Sequence, residues 1–192
     1  MMDMGPYYIT ALASLIGAVK SVSGTIQKTF DTRRITSERH YGTIVDVEVP
    51  THVAGQMEFH SGAVGTIIQS FDIHKHQLPI LEVYGSEGTL SVPDPNHFGG
   101  PVKLYRPESG EYMEIPLTFG YAENSRGLGL ADMAKATQTG RKARADLELI
   151  YHVLEVMTSF AKSAELGKRI DISTAPERPA PMVNGLLPGV LD

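Results

Sequence analysis

Asp3 and Tyr7, an acid and a phenol four residues apart, open the chain within Met1-Met2-Asp3-Met4-Gly5-Pro6-Tyr7-Tyr8. On a helix, residues i and i+4 share one face about a turn apart. A carboxylate and a phenol there can point into one space, where a proton is moved or a polar group is held. The simpler role for Asp3 is to cap the helix by accepting backbone N–H bonds, while Tyr7 only packs. A phenol with its ordinary pKa of about 10 needs a nearby cation to act as a base at neutral pH. This stretch supplies none.

Other candidate chemistry is thinner. Gly127-Leu128-Gly129-Leu130-Ala131-Asp132 begins like a dinucleotide fingerprint, but it ends on Asp and follows no clear strand. Ser159-Phe160-Ala161-Lys162 matches a serine–lysine pattern only in letters, and no partner motif of such hydrolases accompanies it. His74 and His76 point the same way on a strand, yet no third ligand stands at a known spacing, so no metal site is predicted. His152 sits on a long helix beside Tyr151 and Val153, away from the apolar stripe, and is assigned to helix-to-sheet packing or the surface. Asn124, Ser125 and Arg126 open a late helix, where backbone N–H groups and a guanidinium suit a polyhydroxylated or anionic substrate. A plain capped helix explains them equally well.

The elements that must position these residues follow from periodicity. Residues 6–16 read as a short buried helix with Pro6 at its first position and Gly17 at its stop. Residues 19–30 alternate and are rich in Val, Thr and Ile, which predicts a strand. Residues 31–50 are polar and uneven and are assigned to a connecting loop. Three hairpins follow: 52–59 with 65–71, 79–84 with 89–92, and 102–106 with 112–116. Ser125 is placed as the cap of a helix ending at Gly140, and Asp146 as the cap of a longer one ending at Gly167. In the longer helix Leu147, Ile150, Leu154, Met157, Ala161 and Ala164 are taken as the buried stripe. A short strand, 169–172, comes next. Pro176, Pro179, Pro181 and Pro188 then force an extended surface tail whose apolar end docks on this subunit or a neighbour.

Hairpins followed by helices predict an α+β fold: a large, mainly antiparallel β-sheet with helices on one face. The formal charge of −5 argues against nucleic acid as a partner, and the Arg141-Lys142-Ala143-Arg144 cluster reads as a solvated loop. No apolar run reaches membrane-spanning length, and no signal peptide is visible. The absence of cysteine excludes a disulfide scaffold and Cys-ligated zinc and fits a cytoplasmic setting.

Five stretches, in order along the chain, resemble the Gfo/Idh/MocA oxidoreductase family. They are Asp3-Met4-Gly5-Pro6-Tyr7-Tyr8, Asp46-Val47-Glu48-Val49-Pro50-Thr51-His52, Ser61-Gly62-Ala63-Val64-Gly65-Thr66, Glu82-Val83-Tyr84-Gly85-Ser86-Glu87-Gly88-Thr89-Leu90 and Tyr151-His152-Val153-Leu154-Glu155-Val156-Met157. Glu177-Arg178-Pro179-Ala180-Pro181 extends the likeness toward the chain end. The resemblance implies the C-terminal domain alone, of the glyceraldehyde-3-phosphate dehydrogenase-like type. Residues 1–175 would form a substrate-binding and oligomerisation domain, and 176–192 its extended Pro-rich tail.

In that family an N-terminal Rossmann domain binds NAD(P) and supplies a lysine in an E-K-P motif. None of this is present in the 192 residues, so no cofactor is expected on this chain. The family's D-x-x-x-H pattern matches Asp3, while Tyr7 falls on the position of the proton-transferring histidine, a replacement also seen in the glucose–fructose oxidoreductase branch. Either Tyr7 or Tyr8 is then the proton-transferring group, with Tyr8, Asn124 and Arg126 as substrate contacts. The implied activity is NAD(P)-dependent oxidation of a sugar- or cyclitol-like CH–OH group. The implied partners are a Rossmann domain, a small polyol or sugar, and further copies of the chain through the open sheet face. The isolated chain is expected to be inactive. The alternatives are a non-catalytic binding or scaffold protein that kept the fold, and a metal hydrolase.

Overall fold

The computed structural model describes residues 1–187 and 189–192. Pro188, expected in the extended tail, lies outside the described residues. Two compact units are present, residues 1–75 with 147–178 and residues 76–146 with 179–192. The α+β class with antiparallel sheets and helices is what the chain adopts, with its strands distributed over three sheets.

In the first unit, strands β1 (Val19–Gln27), β4 (His52–Phe59), β5 (Val64–Ser70) and β10 (Ile170–Asp171) form a sheet in the order β10-β1-β4-β5. Every neighbouring pair is antiparallel. The pairs Val22↔Met57, Gly24↔Gly55 and Ile26↔Val53 lie on one face and Ser21↔Glu58, Ser23↔Gln56 and Thr25↔Ala54 on the other. Helix α3 (Leu147–Leu166) covers the first of these faces, and α1 (Gly5–Ile16) packs against α3.

Two glycines make the close approach of α3 possible. A Cβ added at Gly24 would sit 2.6 Å from Cδ1 of Phe160, and one at Gly55 would sit 2.7 Å from its Cε1 and collide with the Ser23 carbonyl. The fully buried Phe160 ring therefore rests on bare backbone, where any larger residue would lift the helix.

The face that α3 buries is not the predicted one. Leu149, His152, Val153, Val156, Met157, Phe160 and Ser163 are buried, whereas Leu147, Ile150 and Leu154 are exposed. The helix is apolar on two sides, so the three- and four-residue steps fit both and only packing selects between them. His152, placed away from the apolar stripe from sequence, lies on the buried face and is fully buried.

Two boundaries also differ from expectation. The first strand stops at Gln27 rather than at residue 30, and residues 31–50 are not a plain loop. They hold β2 (Thr32–Arg34), a 3-10 turn (Glu38–His40) and β3 (Ile44–Asp46), with β2 and β3 paired antiparallel. The cause is Arg33. Its guanidinium lies 5.1 Å from the Phe30 ring centroid and 5.0 Å from that of Phe71, and pairs with Asp72 at 2.9 Å. Phe30 is recruited to this cation instead of extending the ladder.

The second unit contains β6 (Leu81–Gly85), β7 (Gly88–Val92), β8 (Val102–Tyr105) and β9 (Tyr112–Ile115), antiparallel in chain order. Its register aligns Val83, Leu90, Leu104 and Met113 across one face, flanked there by Leu81, Val92, Val102 and Ile115. None of these eight side chains is buried. The opposite face carries Glu82, Tyr84, Lys103, Tyr105, Tyr112 and Glu114.

Helix α2 (Leu128–Thr139) ends at Gly140 as expected, in the left-handed conformation. Its start is different: Gly127 holds the cap position, while the Ser125 hydroxyl donates to the Glu123 carbonyl at 2.8 Å. The basic cluster is no solvated loop either. Arg141 Nη2 and Arg144 Nη1 each donate to Oδ1 of buried Asp132 at 2.6 Å, and the Arg144 amide donates to its Oδ2 at 2.8 Å. Burial pushes the Asp132 pKa up, but these donors outweigh it and hold the carboxyl at about 2. Arg144 also reaches the Pro-rich tail, donating to the carbonyls of Ala180 and Pro181.

Gly55→Ala is expected to destabilise the chain by about 1–3 kcal/mol, because the added methyl overpacks the sheet under Phe160. The urea midpoint measures this; a midpoint equal to or above that of the parent chain would show that α3 can shift freely over β1 and β4.

Candidate functional site

Helix α1 begins at Gly5, with Pro6 in its first turn and Gly17 at its end. Met4, in helical dihedrals, occupies the position before the helix, and no side chain caps it. The capping role open to Asp3 from sequence is therefore not taken. Gly5 is buried, with the Met1 and Met157 thioethers where a Cβ would go. This close packing anchors the helix start on α3. Ile9, Leu12 and Ala13 bury one side of α1, which leaves Asp3 exposed and Tyr7 44% exposed. Among the described residues, neither side chain forms a hydrogen bond or ion pair. Tyr8 is half-buried and has polar or electrostatic contacts of its own.

Asn124 and Arg126 belong to the second unit, in the segment that leads into α2. Asn124 Oδ1 accepts from the Arg126 amide at 3.4 Å, an Asx turn that closes the loop locally. The Arg126 guanidinium is exposed and makes no ion pair among the described residues. Upstream, Tyr121 has φ 64°, and among the described residues it is the only non-glycine with positive φ. Its hydroxyl donates to the Val190 carbonyl at 2.6 Å. Gly127 to Asp132 do not form a nucleotide cradle, because no strand feeds the loop and Asp132 is held inward by two arginines. The described residues contain no group of three or more His, Asp or Glu placed to hold a metal ion, and no helix long and apolar enough to cross a membrane.

A polar network behind α1 was not legible from sequence. His152 is fully buried, and its Nε2 accepts from the Val19 amide at 3.0 Å. Its Nδ1 faces Thr174 Oγ1 at 2.7 Å. Glu155, one turn along the same helix, collects four donors: the amides of Ser173 and Thr174 at 2.8 and 3.0 Å and both their hydroxyls at 2.6 Å. Burial pushes the Glu155 pKa up, but these bonds prevail and hold it at about 2. Burial lowers that of His152, against a smaller opposing pull from Glu155. Arg178 Nε, just beyond this segment, donates to the Ser14 carbonyl of α1 at 2.9 Å. The available signal was a His and a Glu three residues apart, hence on one helix face, with two hydroxyl residues downstream.

Comparison with known proteins bears out the resemblance read from the sequence. The sequence model of the GFO/IDH/MocA C-terminal domain matches residues 1–91. D-xylose 1-dehydrogenase (NADP(+)) 2 of Haloferax volcanii is 24% identical over 172 residues, which cover 90% of this chain and 47% of that protein. Among solved structures, levoglucosan dehydrogenase in complex with NADH and L-sorbose matches with TM-score 0.69 at 17% identity, over 90% of this chain and 49% of its own. An NAD binding oxidoreductase from Klebsiella pneumoniae matches with TM-score 0.69 at 18% identity, over 90% and 50%. The aldose-aldose oxidoreductase of Caulobacter crescentus, complexed with glycerol, matches with TM-score 0.63 at 17% identity, over 89% and 47%. The chain thus spans about half the length of these relatives.

Glu155→Gln tests the network. A carboxyl held at about 2 in the fold, below its usual 4.5, stabilises fully above pH 4.5 and loses that contribution as pH falls through this window. The variant should be about 1–2 kcal/mol less stable at neutral pH, with the gap closing toward pH 2–3. Urea unfolding across pH reads it; a gap independent of pH would mean that the charge on Glu155 contributes nothing.

Proposed function

We propose, from the match of residues 1–91 to the GFO/IDH/MocA C-terminal-domain model, that the chain is the substrate-side part of an NAD(P)-dependent oxidoreductase. The proposed reaction is oxidation of a CH–OH group on a sugar- or cyclitol-like substrate, or its reverse. Residues 1–175 serve substrate binding and oligomerisation, with 176–192 as the domain's tail. The observation that carries this reading is the opening of α1. An acid and a phenol stand there exposed and unengaged, and the acid has no capping duty.

NAD(P), held on a nucleotide-binding domain of the whole protein, supplies the hydride acceptor. What this chain contributes is substrate contact and proton handling. The Tyr7 oxygen takes the proton from the substrate hydroxyl as the carbinol C–H bond is lost, and returns it in the reverse direction. A lysine ammonium beside the phenol, on the nucleotide-binding domain, lowers the phenol pKa into a working range. Asp3 orients the pair and balances its charge. Tyr8, Asn124 and Arg126 are assigned to substrate hydroxyls.

The chain is further proposed to form a homo-oligomer. The apolar face of the β6–β9 sheet and the exposed Leu147, Ile150 and Leu154 of α3 support this, since uncovered apolar area of this kind marks contact surfaces. A second reading, a non-catalytic protein that kept the fold, is favoured by one observation. Tyr7 stands where the family's proton-transferring histidine belongs.

In the full-length protein, Tyr7→Phe should lower kcat by about a hundredfold or more, with little change in thermal stability. Nicotinamide absorbance against a panel of aldoses and cyclitols measures this. Unchanged turnover removes Tyr7, and the same loss in Tyr8→Phe alone transfers the role to Tyr8. No turnover of any polyol by the intact parent protein would favour the non-catalytic reading. The 192-residue chain alone, mixed with NAD(P) and substrate, should show none.

A further inference from the structure

We propose that His152 is a proton-operated latch that ties three segments together only while its ring is neutral: the α1–β1 junction, helix α3 and the Ser173–Thr174 segment. The geometry assigns the tautomer. Nε2 lies 3.0 Å from a backbone amide, which can only donate, so Nε2 must be an unprotonated acceptor. The ring proton then sits on Nδ1 and is donated to Thr174 Oγ1 at 2.7 Å. The Thr174 hydroxyl in turn donates to Glu155 Oε2 at 2.6 Å. Each bond in the series Val19 N–H, His152, Thr174, Glu155 runs in one direction, and the order is fixed at the far end by a carboxylate that can only accept.

A second proton on the ring has one place to go, Nε2, where it meets the Val19 N–H head on. The two donors cannot share the space, so the bond from Val19 is lost and the buried cation lacks an acceptor on that side. Val19 opens β1 two residues after Gly17 ends α1. Next to it, the Ala18 carbonyl accepts from the His60 amide at 3.0 Å. Protonation therefore loosens the joint from which the Asp3–Tyr7 helix is suspended, while the sheet, held by its own ladder, stays intact.

The groups facing the ring limit the device. Glu155, on the same helix, and a backbone bond with Thr174 favour the charged ring, and His60, after β4, disfavours it. From β1 the ring meets a backbone amide and from the 173–174 segment a hydroxyl. Burial prevails and lowers the ring pKa below the ordinary 6.5. A group depressed in this way contributes stability above its unfolded pKa and loses it as pH falls toward the folded one. The latch is thus closed at neutral pH and loses its contribution as pH falls below the ordinary 6.5.

The inference does not depend on catalysis and is tested on this chain directly. Long-range ¹H–¹⁵N spectra of the labelled protein at neutral pH should show His152 as the Nδ1–H tautomer; an Nε2–H tautomer overturns the proposal. On lowering the pH from about 7.5 to about 5, Val19 amide protection, corrected for intrinsic exchange, should fall about tenfold or more while the β4 amides keep theirs. Equal loss in both, or none, overturns it. In urea unfolding, the decline in stability over this range should vanish in His152→Gln and persist in His60→Gln; the reverse pattern overturns it. If His152→Gln does not fold, the two measurements on the parent chain decide alone.

Discussion

The seating of Phe160 on Gly24 and Gly55 is the contact on which the first unit depends. Antiparallel sheets normally keep a helix at side-chain distance. Here two glycines in register across β1 and β4 remove the side chains at one spot, and an aromatic ring enters the gap. With Phe160 in place, the rotation of α3 is settled, and so is which of its two apolar sides turns inward. His152 and Glu155 are then delivered to the end of the sheet, where α1 leaves off and β1 begins. The placement of α1 follows from the same contact, because Gly5 packs on Met157 of α3.

What could be read from the sequence divides along physical lines. The hairpins were legible because alternation and glycine turns are local signals, and the observed strands fall within a few residues of the predicted ones. The boundaries of α3 were legible, but its orientation was not. Leu147, Ile150 and Leu154 satisfy helical periodicity as well as Leu149, Val153 and Val156 do, and only the Phe160 contact separates them. The β2–β3 hairpin was hidden because what organises it is an arginine between two phenylalanines 41 residues apart in the chain, Phe30 and Phe71. The same holds for the arginine pair on Asp132, where charges that look solvated in sequence close on a buried acid.

The candidate site was legible in part for a similar reason. The i to i+4 spacing of Asp3 and Tyr7 is local, and the chain places Asp3 in the turn before α1 and Tyr7 in its first turn. The network behind it joins α3 to residues 173 and 174 and to the amide of Val19, separations that no window along the chain captures. A buried histidine flanked by apolar residues reads as an ordinary packing residue until both of its ring nitrogens have partners. The acid and the phenol are exposed, whereas the network is buried between α3, the start of β1 and residues 173 and 174.

The unequal distribution of the core has a consequence for how the chain comes apart. Of the buried hydrophobic residues among those described, only Ala136 belongs to the second unit, whose most sheltered feature is the charged clamp on Asp132. A unit held by an ion cluster and a half-covered sheet responds to salt and acid, whereas one held by Phe160, Met57 and Val22 responds to urea and heat. Denaturants of different chemistry should therefore dismantle the chain in different orders. A protease added during partial unfolding would cut within residues 76–146 first, where the described residues bury the fewest apolar side chains.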